Sequence, residues 1–118
     1  MENEEAINRI PPANDRGGVW VQIGMEEYRI PPLGFGAIRE LEESLPLLNG
    51  MSGFPTEQQM DVVAKIIHLA MKRNYPDMTQ QQVFDCLDLG NYRAIFDAVM
   101  ALSGYKAAGP GEPIPTSP

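Results

Sequence analysis

Apolar and polar residues alternate along residues 18–31, which is the period of a β-strand with one buried face. The alternation is interrupted at Gly24-Met25, where glycine in the first position favours a type II′ turn. The pattern therefore predicts a β-hairpin. Its register places Trp20 beside Arg29 on one face, close enough for a cation–π contact. On the other face the register pairs apolar residues, Val19 with Ile30 and Val21 with Tyr28.

Beyond the hairpin, apolar residues recur every three or four positions, which predicts four amphipathic helices. We expect these helices over residues 35–45, 57–74, 80–89 and 92–103. Two of them begin with the sequence of a capping box, Thr followed three residues later by Gln: Thr56 with Gln59, and Thr79 with Gln82. Gly90 is expected to follow the end of the third helix, and Asn91 to cap the fourth. The second helix is apolar around so much of its circumference that we expect it at the centre of the core.

These elements together predict a mostly α fold, with an N-terminal β-hairpin packed on a cluster of about four helices. The hairpin and helices form a single globular domain over residues 18–104. The polar residues 1–17, which include Pro11-Pro12, are interpreted as a flexible arm. Residues 105–118 are rich in glycine and proline and have little to bury, so they are predicted to be a disordered tail.

The charge balance narrows the range of partners. The chain has 118 residues, with 16 acidic and nine basic side chains and a net charge of −7. Such a surface repels phosphate and disfavours binding to nucleic acid. A single cysteine excludes an intrachain disulfide and favours a reducing compartment. The N-terminus does not resemble a signal peptide, and no apolar run approaches the roughly 18 residues of a membrane span, so no membrane association is expected.

No group of residues has the composition of a catalytic, cofactor or metal site. His68 has no acid or metal ligand three or four positions away, and Cys86 is interpreted as a buried small residue. Asp85 and Asp88 lie one turn apart on what is expected to be a solvated face. Gly34-Phe35-Gly36 has too few glycines for a phosphate loop and is attributed to tight packing of the hairpin exit. We therefore predict a protein that is not an enzyme and has no cofactor.

Apolar residues outside the helices indicate where a partner could bind. The loop over residues 46–55 carries several of them, which either fold back onto the helices or anchor a partner. The methionines of the helical part are interpreted first as core filling, and second as part of an adaptable binding surface. Together with two tyrosines near the helix junctions, the loop gives five candidate partner-binding residues: Leu48, Met51, Phe54, Tyr75 and Tyr92.

One combination of segments resembles a known family. Pro-Pro-Leu-Gly after the hairpin, then Arg-Asn-Tyr-Pro-Asp-Met-Thr at residues 73–79 and Leu-Asp-Leu-Gly-Asn at residues 87–91, is similar to the tail assembly chaperones of siphophages and related prophages. The similarity covers roughly residues 18–104. It implies a protein of the host bacterial cytoplasm that binds and solubilises the tape measure protein and helps recruit tail tube subunits. It also implies that the protein is absent from the mature virion.

Two other functions stay open on the sequence. The first is a small structural component of the head–tail joining region that is retained in the virion, which the content of purified particles would distinguish. The second is a DNA-binding regulator built on the third and fourth helices, although Arg93 is offset there by Asp97. Because two strands alone are marginally stable, the hairpin is expected to pack on the helices or on a partner. Its exposed edge could pair with a neighbouring subunit, so self-association is a further expectation.

Overall fold

The computed structural model describes residues 8–104. The predicted disordered tail and residues 1–7 of the predicted arm lie outside this range. Within it there are three strands, four α-helices and a short 3-10 helix at Leu45–Leu48. In chain order the strands and α-helices are β1 Asn8–Ile10, β2 Val19–Ile23, β3 Glu26–Ile30, α1 Phe35–Leu41, α2 Glu57–Met71, α3 Gln80–Cys86 and α4 Tyr92–Leu102.

The three strands form one sheet in the order β1-β3-β2. β2 and β3 are antiparallel, and the predicted hairpin register is confirmed at each pair: Val19 with Ile30, Trp20 with Arg29, and Val21 with Tyr28. Gly24 has a φ of 68°, whereas no residue other than glycine has a positive φ in the described chain. A positive φ at the first turn residue and not at the second fits the predicted type II′ turn.

The prediction of a flexible arm over residues 1–17 is wrong for its described part. Asn8–Ile10 forms a third strand that pairs in parallel with β3, Asn8 opposite Glu26 and Ile10 opposite Tyr28. The strand has only three residues, too few for the alternation that reveals a strand in a sequence. The fold is therefore a small mixed sheet with four helices rather than a hairpin with four helices.

The polar face of the sheet contains the predicted aromatic–cation contact and one that was missed. The Arg29 guanidinium carbon lies 6.0 Å from the Trp20 ring centroid, at the outer limit for such a contact. Arg9 of β1 is closer, at 4.6 Å, and its Nε lies 2.7 Å from a carboxylate oxygen of Glu27. Because β1 was not predicted, the contribution of Arg9 could not be foreseen.

Close backbone packing occurs at a different glycine from the one expected. Gly18 has a φ of 110°, and a Cβ there would lie 1.9 Å from the carbonyl oxygen of Ile30. At Gly36 a Cβ would meet nothing within 4 Å, and at Gly34 its nearest neighbour would be an Arg73 side-chain atom at 3.6 Å. Tight packing therefore does not explain the Gly34-Phe35-Gly36 segment, and the glycine that the fold requires is Gly18.

Helix α2 lies at the centre of the core, as its composition predicted. It contacts each of the other α-helices, the 3-10 helix and β3. Eight of its 15 residues are buried: Val62, Val63, Ala64, Ile66, Ile67, Leu69, Ala70 and Met71. Full burial of one large aliphatic side chain stabilises a fold by about 1.5–3 kcal/mol, so this helix supplies much of the driving force for folding. Within the described residues, no helix is both long and apolar enough to cross a membrane.

Both predicted capping boxes are present, but the helices end earlier than expected. Thr56 with Gln59 and Thr79 with Gln82 each form the two reciprocal hydrogen bonds. α3 ends at Cys86 because Leu87 is extended, with φ −92° and ψ 145°. Gly90 consequently does not adopt the left-handed conformation of a residue that follows a helix end. Asn91 stands at the start of α4 without a side-chain cap bond.

The segment Arg73-Asn74-Tyr75, which contributed to the family resemblance, joins the end of α2 to the N-terminal part of the chain. Asn74 is fully buried, and its amide nitrogen donates to the carbonyl oxygens of Arg29 at 2.7 Å and Gly17 at 3.2 Å. Its side-chain oxygen accepts from the Arg16 N–H at 2.7 Å. Every hydrogen-bonding group of this buried side chain is thus in use, as burial requires.

The neighbouring side chains make similar contacts. The Tyr75 hydroxyl accepts from the Arg29 N–H at 2.7 Å and donates to the Ile10 carbonyl oxygen at 2.7 Å. The Arg73 guanidinium donates to the Pro32 carbonyl oxygen. Tyr75 and Asn74 therefore satisfy the backbone of Arg29, one residue beyond the point where β1 stops pairing with β3.

Candidate partner-binding groove

An apolar groove lies between the start of α2, helix α3 and the connection from α3 to α4. Its volume is about 140 Å³, and eight described residues line it: Pro55, Met60, Val63, Phe84, Leu87, Asp88, Leu89 and Tyr92. Small-molecule sites usually have volumes of about 300–1,000 Å³. A cavity of about 150 Å³ can admit benzene, so this groove has the size for one large apolar side chain.

One wall of the groove exists because α3 stops early. Leu87 is extended, and the Asp88 carboxylate then accepts hydrogen bonds from the Gly90 and Asn91 N–H groups at 2.8 and 2.7 Å. The Asn91 amide in turn donates to the Cys86 carbonyl oxygen at 3.1 Å. These bonds fix residues 87–91 as a turn, and Leu89 is left 53% exposed at the groove.

The opposite wall is the end of the loop before α2. The Tyr92 hydroxyl donates to the Ser52 carbonyl oxygen at 2.9 Å, and the Gln59 amide donates to the Leu47 carbonyl oxygen at 3.1 Å. These two bonds attach the loop to α4 and α2. Pro55 is buried against the groove, and Phe54, which precedes it, is 74% exposed.

The charge of the groove comes from Asp88, the one acidic residue among the eight that line it. Its carboxylate is held by two backbone N–H groups, so it is a fixed acidic group beside an apolar surface. The chain as a whole carries a net charge of −7. An apolar segment flanked by basic residues is therefore the electrostatic complement of this site.

The five predicted contact residues do not form one surface. Leu48 and Met51 are partly buried against the core, and Phe54 is exposed. Tyr75 and Tyr92 are 8% and 5% exposed, and both donate their hydroxyl hydrogens to backbone carbonyls. Tyr75 is therefore a core residue, while Tyr92 is one of the residues that line the groove.

Four of the eight groove residues lie on helix faces that the sequence pattern predicts to be in the core: Met60, Val63, Phe84 and Leu87. Phe84 and Leu87 belong to the apolar face of the third predicted helix, and Met60 to a stripe of the second. Leu89 has no predicted contact role, and the third helix is predicted to continue to residue 89. The alternation Leu87-Asp88-Leu89, which is not helical spacing, was the available signal. The other methionines of the helical part behave as core filling: Met71 is buried, and Met51, Met78 and Met100 pack against the core.

The polar residues considered for chemistry have structural or solvent-exposed positions. His68 Nε2 donates to the Met78 carbonyl oxygen at 2.8 Å, which ties α2 to the segment before α3. Cys86 is exposed, so its assignment to the core is wrong; it is the last residue of α3. Asp85 accepts from the Gln81 amide at 2.9 Å. Residues 8–104 contain no group of three or more His, Cys, Asp or Glu that could hold a metal ion.

A second exposed apolar area lies on α1. Phe35 is 93% exposed and borders a shallow depression that Ile38, Arg39, Glu42 and Leu45 also line. This depression is more open than the groove and has two charged residues in its lining.

Comparison with protein-family models, curated proteins and solved structures found no match to this chain.

Proposed function

We propose that this protein is a tail assembly chaperone that binds the tape measure protein of a long-tailed phage through the groove between α2, α3 and α4. The observation that carries the proposal is an open apolar groove of about 140 Å³ with an exposed leucine at its edge. The resemblance of residues 18–104 to such chaperones supplies the partner. The alternative of a joining component retained in the virion has no structural feature that favours it.

The size of the groove suits a holding role. Burial of one apolar side chain contributes about 1.5–3 kcal/mol, which is far too little for stable binding by one copy. A long helical chain with repeated apolar positions can instead engage many copies, each weakly and reversibly. Weak single contacts also permit release when the tail tube assembles. The net charge of −7 would keep such a complex soluble.

The experiment is an affinity pull-down of the tagged protein from infected or induced cells, with partners identified and counted by mass spectrometry. Wild-type protein is expected to retain a very long, helix-rich phage protein at several chaperone copies per chain. Leu89→Glu should reduce this recovery at least tenfold, because it places a charge in the apolar groove beside Asp88. Leu89 is 53% exposed, so the fold should tolerate the change.

Phe35→Glu is the matched control, since it adds the same charge at a side chain that is 93% exposed and lies on α1. Its recovery of the partner should equal that of wild type. Equal loss in both variants would place the contact elsewhere. Recovery of only portal or connector proteins, or detection of the protein in purified virions, would overturn the proposal in favour of a structural component.

A further inference from the structure

The outer edge of β2 carries backbone groups that the sheet does not use. A two-residue turn makes Ile23 and Glu26 a hydrogen-bonded pair, and such pairs alternate along the hairpin with pairs that are not bonded. Trp20 and Arg29 form one of the pairs without bonds. Independent evidence comes from Arg29, whose N–H and C=O bond to Tyr75 and Asn74 on the side away from β2. The N–H and C=O of Trp20 must therefore point outward.

By the same alternation, Gln22 also directs its N–H and C=O outward. Within residues 8–104, no hydrogen bond from a turn, loop or helix end reaches the backbone of Trp20 or Gln22. Edge strands are normally protected by charged side chains, proline or a bulge. The β2 sequence Val-Trp-Val-Gln-Ile has no charge and no proline, and its pairing with β3 is continuous.

We propose that this edge pairs with the same edge of a second copy of the chain, antiparallel and with the two-fold axis at Val21. In that register Trp20 of each copy lies opposite Gln22 of the other. The two outward residues of each copy then exchange four backbone hydrogen bonds, and two three-stranded sheets become one sheet of six strands. Val19, which is 42% exposed, comes to lie opposite Ile23 of the other copy.

The symmetry of the β2 edge favours a second copy of the chain as its partner. Its two outward residues are placed symmetrically about Val21, which is the condition for a self-complementary two-fold interface. The chain is strongly acidic, yet this strand is uncharged, so pairing opposes no like charges along it. The inference does not depend on the proposed function, because it uses neither the groove nor the tape measure protein.

The first test is the mass of the full chain by sedimentation equilibrium over a wide concentration range. Wild type should approach twice the chain mass of 13.1 kDa as concentration rises. Gln22→Pro removes one outward N–H and no bond to β3, so it should weaken the dimer at least tenfold while circular dichroism stays unchanged. Gln22→Thr keeps the N–H and should dimerise as wild type does.

The register is tested by disulfide formation in a Cys86→Ser background. Val21→Cys places two thiols across the axis in an unbonded pair, where Cα atoms are about 4.5 Å apart and a disulfide can form. Val19→Cys is the control, because its two thiols would be about 13 Å apart. Rapid crosslinking is expected for the Val21→Cys variant alone. Equal crosslinking at both positions would overturn the proposal. A wild-type monomer at every concentration would also overturn it, and would favour a strand from another protein as the partner of this edge.

Discussion

At the scale of single residues, two tyrosines join the sheet to the end of α2. The rings of Tyr28 and Tyr75 meet edge to face, with centroids 5.2 Å apart. Burial and a hydrogen bond to the Glu26 carboxylate, 2.7 Å away, raise the pKa of Tyr28 to about 12. Burial also raises the pKa of Tyr75, although the N–H of Arg29 opposes the shift. Both hydroxyls therefore favour their neutral form in the folded chain.

This predicts an alkaline loss of stability. A pKa that is higher in the folded state than its usual value near 10 means that the unfolded chain releases its proton first as the pH rises. The contribution of Tyr28 should therefore be complete below about pH 10 and be lost between about pH 10 and 12. Urea unfolding at pH 8, 10 and 11 measures it. In Tyr28→Phe the free energy of unfolding should fall less at alkaline pH than in wild type. Some decrease should remain, because the pKa of Tyr75 is also raised. Identical decreases in both proteins would contradict this assignment.

At the scale of elements, the groove depends on a helix of only seven residues. α3 is held at its start by the Thr79–Gln82 capping box and at its end by the turn around Asp88. Short helices are marginal by themselves, so their end contacts decide whether they form. Phe84 and Leu87, near the end of this helix, are walls of the groove. Loss of the Thr79 cap should therefore alter the groove, because it destabilises the helix that carries Phe84 and Leu87.

Thr79→Ala is expected to lower the free energy of unfolding by about 1 kcal/mol, the usual contribution of an N-cap side chain. Hydrogen exchange of the α3 amides should accelerate more than that of α2, because the lost bond belongs to α3. Ser44→Ala is the control, since Ser44 precedes the 3-10 helix without a side-chain cap bond. Unchanged exchange in α3 would show that packing alone holds this helix.

At the scale of the whole molecule, Asn74 connects three parts that are distant in sequence. Its side chain bonds to residues 16, 17 and 29, and its backbone carbonyl accepts from the N–H groups of Ala13 and Asn14 at 2.9 and 3.2 Å. The segment between β1 and β2 thus has no helix or strand of its own but is fixed by the end of α2. Hydrogen bonds to Asn74 therefore hold residues 13–17 in place, although little of this segment is buried.

Asn74→Ala should therefore destabilise the whole domain against unfolding. It leaves two carbonyl oxygens and one N–H without partners in a partly buried place, and we expect a loss of about 3 kcal/mol in the free energy of unfolding. Urea denaturation measures it. Asn49→Ala, at an exposed position after the 3-10 helix, should change stability by less than about 0.5 kcal/mol. A similar small effect at Asn74 would mean that water replaces its bonds.

Local patterns account for much of this fold. Thr56-to-Gln59 and Thr79-to-Gln82 specify helix starts because the bonds of a capping box span three residues. Gly24-Met25 and the alternation on either side specify the hairpin register for the same reason, since turn and strands are adjacent in the chain. The apolar circumference of α2 likewise determined its central position. Each of these signals is short-range and needs no knowledge of what packs against it.

Tertiary structure alone decided the rest. β1 pairs with a strand 18 residues away, so nothing near Asn8 could reveal it. Tyr75, expected at a partner-binding surface, is buried, and Cys86, expected in the core, is exposed. The reason is that burial depends on which elements pack around a side chain. The groove arises where α3 stops and a distant loop is bonded to Tyr92. The sequence by itself determined the hairpin and where the four α-helices start, because these signals are local. Long-range contacts determined the third strand and which apolar residues stay exposed and available to a partner.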